Sequence, residues 1–164
     1  MTVSGQTAAL WSIITGRINL EGGLEMNVEV NWLAVVLAAV SSMVVGTIWY
    51  SDAVFGKAWK KMAKLDEKRM KTDAPMALAI AFLSSLVMAF VLAHLSFIAH
   101  SFYGNSFLSD TLQTAFWVWL GFQGLRIIMR GAFEQRRKKL TLMAAVNELV
   151  TIMVMALIIG LLKP

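Results

Sequence analysis

Four predominantly apolar stretches, at residues 32–50, 76–98, 112–129 and 140–162, restrict what this chain can fold into more than any other feature. Each is close to the ~20 residues that an α-helix needs to cross the hydrocarbon core of a bilayer. Backbone amides in lipid have no water to bond, so such stretches become helices that satisfy their own hydrogen bonds. A helix of this length in a soluble domain normally carries a polar stripe. The first stretch, "WLAVVLAAVSSMVVGTIWY", offers only serines, a threonine and a glycine for one. Composition agrees: 58% of residues are hydrophobic and the mean hydropathy is +0.66, whereas apolar residues make up roughly half of an ordinary soluble domain. The expected fold is all-α, a four-transmembrane-helix bundle formed by residues 26–164 after an extension at 1–25.

The cations orient the bundle. Of the 15 Lys and Arg residues, all but Arg17 and Lys163 fall in two segments. One segment, 57–71, joins the first and second stretches; the other, 126–139, ends the third and leads into the fourth. The connection "HSFYGNSFLSD" has neither Lys nor Arg. Cationic connections are retained in the cytoplasm, and four spans place both basic segments on one side. The expected location is therefore a bacterial inner (plasma) membrane, with loops 51–75 and 130–139 cytoplasmic and both termini outside. Trp32, Trp49 and Tyr50 bracket the first span as interfacial aromatics do. Trp117 and Trp119 lie deeper, where helix packing is their expected role. The net charge of +5 is thus accounted for by topology, and "RRKK" at 136–139 needs no nucleic-acid partner.

The segment "VFGKAWKKMAKLDEKRMK" carries a second signal. At helical spacing Phe55, Trp59, Met62 and Leu65 share one face, opposite Lys57, Lys60, Lys61, Lys64 and Lys68. That segregation predicts a basic amphipathic interfacial helix between the first two spans, drawn to anionic headgroups. The alternative is a solvated connector whose lysines only enforce topology. Residues 1–25 lack an early cationic region and so make a poor signal peptide. "TAALWSII" within them is too short to span. Glu21-Gly22-Gly23 can be encoded by a purine-rich ribosome-binding sequence two codons before Met26, which makes Met26 an alternative start. If the extension is translated, Trp11, Ile14 and Ile18 would form a small apolar face.

The string "NWLAVVLAAV…GTIWYSDAVFGKAW" resembles the opening of a family of small membrane proteins, the domain-of-unknown-function 1761 family. The matching residues are Asn31, Trp32, Gly46, Trp49, Tyr50, Ser51, Phe55, Gly56, Lys57 and Trp59. Further on, Trp119-Leu120-Gly121-Phe122 and the last span with Asn147 are also similar. Asp52 stands where the family often has proline. The resemblance implies a four-helix integral membrane protein and brings no catalytic or binding residues with it.

Polar residues recur at one depth. Counted at 1.5 Å per residue from the basic side, Glu148 lies roughly 12 Å into the last span. Ser41 and Ser42 on the first span, Ser84 and Ser85 on the second and Gln123 on the third lie level with it, and Asn147 is adjacent. Arg126 stands one turn nearer the basic side, on the face of Gln123, Trp119 and Arg130. Its side chain would reach towards Glu148 or snorkel to the interface. Ionisable groups within a membrane are functional candidates by default. Glu148 would then bind a proton or cation, with Asn147, Gln123 and the serines completing a hydrated site. In the alternative, the layer joins helices by hydrogen bonds worth about 0.6–2 kcal/mol each.

Other candidates are weaker. His94 at an outer interface is expected to bond backbone or water. His94 and His100 lie six residues apart, off one helical face and without a third ligand. The 11 methionines serve as flexible packing, and the absence of cysteine removes disulfides and thiolate metal sites. Gly121 and Gly124 are expected to permit close helix packing. No phosphate-binding loop, zinc-protease motif or nucleophile elbow is present. No enzyme activity, metal or cofactor is implied. The first expectation is a non-enzymatic structural or interaction component of a membrane assembly, contacting lipids and working as a homo-oligomer or a subunit of a larger complex. The alternative is an oligomeric proton- or cation-coupled transporter or channel using Glu148.

Overall fold

In a computed structural model of the chain, residues 17–20, 24–64 and 67–164 are described. An antiparallel hairpin, β1 Arg17–Leu20 and β2 Leu24–Asn27, comes first, with Ile18 opposite Met26. Ile18 is therefore in a strand, not on a helical face; Trp11 and Ile14 lie outside the described residues. From residue 32 onward the fold is all-α. The helices are α1 Trp32–Trp49, α2 Gly56–Ala63, α3 Glu67–Tyr103 and α4 Phe107–Val118, then a π-helical segment Trp119–Gly124, α5 Leu125–Phe133 and α6 Lys138–Leu162.

Among the described residues, three helical stretches are long and apolar enough to cross a membrane: α1, the Met70–Tyr103 part of α3, and α6. The apolar stretch expected at 112–129 is instead divided among α4, the π segment and α5, which follow one another without a non-helical residue. The wider π turn lays the Trp119 indole over Gly124, where an added Cβ would stand 2.8 Å from Trp119 Cζ2. Gly124 thus makes room for a side chain of its own helix. Gly121 has nothing within 4 Å of an added Cβ, so its expected packing role is corrected. Trp117, 64% exposed, points away from the bundle, contrary to the packing role expected of it.

Helix ends also differ from the hydropathy boundaries. Expected from 76 to 98, α3 begins at Glu67 and continues through Pro75 to Tyr103. Hydropathy marks where a helix becomes apolar, not where it begins. Gly104, at φ 68°, ends α3 with its N–H on the His100 carbonyl at 2.9 Å, a left-handed closure suited to glycine. The amphipathic helix read across 54–71 is shorter. It closes at Lys64, whose φ is 51°, and Lys68 belongs to α3.

α6 is the hub of the bundle. It packs against α1, α4, the π segment and α5, while α3 packs against α1 and α4. Near the end where α1 starts and α6 finishes, the core is built from Ala34, Ala38, Ala89, Ala93, Ala115 and Ala156, with Met155 among them. Small side chains let backbones approach closely, the main source of helix association where lipid surrounds the bundle. Gly160 extends this contact: a Cβ there would stand 2.6 Å from Leu108 Cδ1. Asn31 ties the same end together. Its Oδ1 accepts from Ala34 N at 3.1 Å, capping α1, while its Nδ2 donates to the Leu162 and Lys163 carbonyls at 3.1 and 2.9 Å. One side chain thus satisfies orphan groups at the start of one helix and the finish of another. Towards the basic end, cavities open between the helices.

Candidate functional site

α6 carries Asn147 and Glu148 into this looser half. Asn147 is 7% exposed and its Nδ2 has no hydrogen-bond partner among the described residues. Glu148 is half-buried and lines two cavities. The larger, about 750 Å³, lies towards α1 and α3 and is also lined by Ser42, Ser84, Ser85, Asn147 and Thr151. Trp59 and Lys60 of α2, with Tyr50 and Asp52 of the preceding corner, border its basic end. The smaller, about 330 Å³, lies towards α5 and is lined by Gln123, Arg126, Arg130, Arg136 and Thr141.

Most residues expected in the polar layer do converge, but only some bond to one another. Ser42 and Ser85 hydroxyls share a hydrogen bond of 2.7 Å between α1 and α3. Ser42 Oγ also meets the Ala39 carbonyl at 2.7 Å; Ser42 can donate to that carbonyl while accepting from the Ser85 hydroxyl. Ser41 turns back on its own helix to Ala38 O at 2.7 Å and stays out of both cavities. Gln123 Oε1 is buried without a partner, and its Nε2 reaches only Met88 Sδ at 4.0 Å. Arg126 shares the smaller cavity with Glu148, yet no ion pair within 4.0 Å joins them among the described residues. Burying polar groups without partners is costly, so Asn147 and Gln123 stand out as groups available to a ligand.

The interfacial set is arranged differently from a lipid-facing stripe. Phe55 packs on Trp49 with ring centroids 4.7 Å apart, and Trp59 on Tyr50 at 4.7 Å. These aromatics fold the α1–α2 corner onto itself, although Phe55 remains 40% exposed. Lys60 pairs with Asp52 at 3.0 Å. Lys57, Lys61 and Lys64 are exposed. This corner supplies a structural reason for the "WYSDAVFG" string: Gly56 N–H bonds Ser51 O at 2.8 Å, and a Cβ on Gly56 would meet the Tyr50 and Ser51 backbone.

A second polar centre, at the end opposite the basic connections, went unread in the sequence. Asp110 is 2% exposed. Its Oδ2 meets His100 Nδ1 at 2.9 Å, and its Oδ1 accepts from Asn105 Nδ2 at 3.0 Å. The signal was an acidic residue in the first turn of a helix capped by Ser106, but its histidine partner lies across the α3–α4 turn. His94, by contrast, meets Phe90 O at 3.1 Å. Among the described residues no group of three potential ligands is placed to hold a metal.

Asp110 precedes the 112–129 apolar stretch, and its carboxyl is held below the usual carboxylate range. The His100 hydrogen bond is the main cause, desolvation opposes it, and the Asn105 bond assists. A carboxyl depressed on folding contributes stability above its unfolded pKa, near 4, and loses it as pH falls through the folded value. The thermal midpoint of the purified protein is therefore expected to fall below about pH 4. Asp110→Asn should flatten that acid limb. An unchanged limb in the variant would remove the assignment.

Long helices apolar around much of their circumference, with many large apolar side chains exposed, define the class: an α-helical membrane protein with polar cavities in one half. The particular family follows from sequence. Residues 33–160 match the family described as Protein of unknown function (DUF1761), and the chain belongs to it. No curated protein and no solved structure matches the chain.

Proposed function

We propose that the chain is a four-span inner-membrane protein that binds a proton or small cation at Glu148 and exchanges it with the cytoplasm. The observation carrying this reading is that Glu148 lines both cavities with no cationic partner within 4.0 Å among the described residues. Asn147, Ser84, Ser85 and Thr151 add neutral oxygen-bearing groups around the larger cavity, a donor set suited to hard cations or hydrated protons. The fourth span is residues 112–129 of the α4–π–α5 series, and α2 lies at the cytoplasmic interface with Lys57, Lys61 and Lys64 towards headgroups. Alanine packing at the other end favours access from the basic side alone. Transfer across the membrane would then require that end to open, in a homo-oligomer or with another subunit.

The orientation is open to direct test because the chain has no cysteine. In intact cells Tyr103→Cys should react with an impermeant thiol reagent, and Lys139→Cys only after lysis. The reverse pattern would overturn the topology. Ion binding is tested by reconstitution: vesicles containing the protein should take up protons or a monovalent cation down an imposed gradient faster than protein-free vesicles. Equal rates across a panel of ions would refute transport. A second reading, a non-enzymatic component that only assembles, is favoured by the Ser42–Ser85 bond and by Trp119 Nε1 donating to Ala145 O at 3.2 Å. Both are interhelical bonds that need no ligand.

A further inference from the structure

Of the two cavities beside Glu148, the larger offers far more room than a proton or a bare metal ion requires. Its volume of about 750 Å³ falls within the roughly 300–1,000 Å³ of small-molecule sites. Among the described residues its charged lining is Asp52, Lys60 and Glu148, two carboxylates against one ammonium. Lys60 is held by Asp52 at 3.0 Å, so the carboxylate left over is that of Glu148. Arg126, Arg130 and Arg136 line the smaller cavity instead. A neutral polar contact is also in place. Asn147 borders the larger cavity and is 7% exposed, with Nδ2 buried and without a hydrogen-bond partner among the described residues.

Much of the remaining lining is apolar and adaptable. Met43, Met70, Leu78 and Met88 form walls, and methionine reshapes itself around varied partners. Tyr50 and Trp59 stand at the basic end, where aromatic faces attract cations. Thr47 of α1 and Ala81 and Ser84 of α3 border the cavity and are exposed, so it opens sideways between these helices. Glu148 lies roughly 12 Å into the span from Leu140, a depth that a lipid headgroup anchored at the interface does not reach. An organic cation entering sideways at that depth needs an apolar body. We infer that the larger cavity binds an amphipathic organic cation, its ammonium on Glu148, its neutral polar group at Asn147 and its apolar body among the methionines. This names the substrate class of the carboxylate site proposed above and rests on that reading.

The test is equilibrium dialysis of the full chain in detergent, with binding counted above protein-free micelles. The probes are benzoylcholine, a permanently charged ester, and its uncharged analogue with carbon in place of nitrogen. Benzoylcholine should bind at one site per chain, and the analogue about tenfold more weakly for want of one close charge pair. Glu148→Gln should abolish that preference. Gly46 borders the cavity with nothing within 4 Å of an added Cβ, so Gly46→Phe should fill it and weaken benzoylcholine binding with the carboxylate in place. Equal binding of the two probes by the unaltered protein would overturn the inference, as would a preference that survives Glu148→Gln. Proton or metal-ion uptake by vesicles without benzoylcholine binding would overturn it and leave the Glu148 reading standing. Benzoylcholine binding that requires Glu148, in protein whose vesicles take up no ion, would uphold it and refute transport.

Discussion

Glu148→Gln is expected to reduce proton- or cation-driven uptake by reconstituted protein to the rate of protein-free vesicles, while the purified variant melts close to the unaltered chain. Glutamine keeps the volume and a hydrogen-bonding end but cannot release a proton or offer a full negative charge. The substitution is mild structurally because no hydrogen bond or ion pair of Glu148 is present among the described residues to be lost. A purely structural layer predicts the reverse pairing of effects, with a changed melting temperature and nothing lost in transport. Measuring both quantities on one preparation separates the two readings. Undiminished uptake by Glu148→Gln would remove the carboxylate from the mechanism.

Gly56→Ala is expected to cause the largest loss of stability of any single-methyl addition considered. The new Cβ would stand 2.7 Å from the Ser51 carbonyl carbon and oxygen and would also collide with Tyr50 O. These are backbone atoms, so no side chain can turn aside to relieve the contact. Overpacking usually costs about 1–3 kcal/mol, and a backbone collision lies at the upper end. The corner also sets the Trp49–Phe55 and Tyr50–Trp59 ring contacts, so Trp59 fluorescence should change with the melting midpoint. Gly121→Ala is the control. It has open space for its methyl and is expected to be neutral or up to about 1 kcal/mol stabilising, as alanine favours helix. A Gly56→Ala protein as stable as the control would refute the steric account.

Much of the site was legible at the level of depth. Counting residues from the basic side brought Ser42, Ser84, Ser85, Asn147, Gln123 and Glu148 to one level, because helical rise is constant and membrane helices run nearly parallel. Azimuth was not legible. Ser41 and Ser42 are neighbours in sequence, yet one turns to its own backbone and the other bonds Ser85. Gln123 and Ser85 share a depth but line different cavities. The π segment contributes to this, since a wider turn shifts the face on which later residues emerge, and no local propensity announces it.

The sequence alone determined that the chain forms apolar helices of membrane-crossing length, where their cations cluster, and which polar groups share a depth. Those properties depend on local composition and a fixed rise per residue. Tertiary structure decided that α6 is the central helix, that Asn31 joins the start of α1 to the finish of α6, and that Asp110 is buried against His100. It also decided that Glu148 stands between two cavities without Arg126 bonded to it. Each of these depends on how helices rotate and approach one another, and that is set by contacts between residues far apart in the chain.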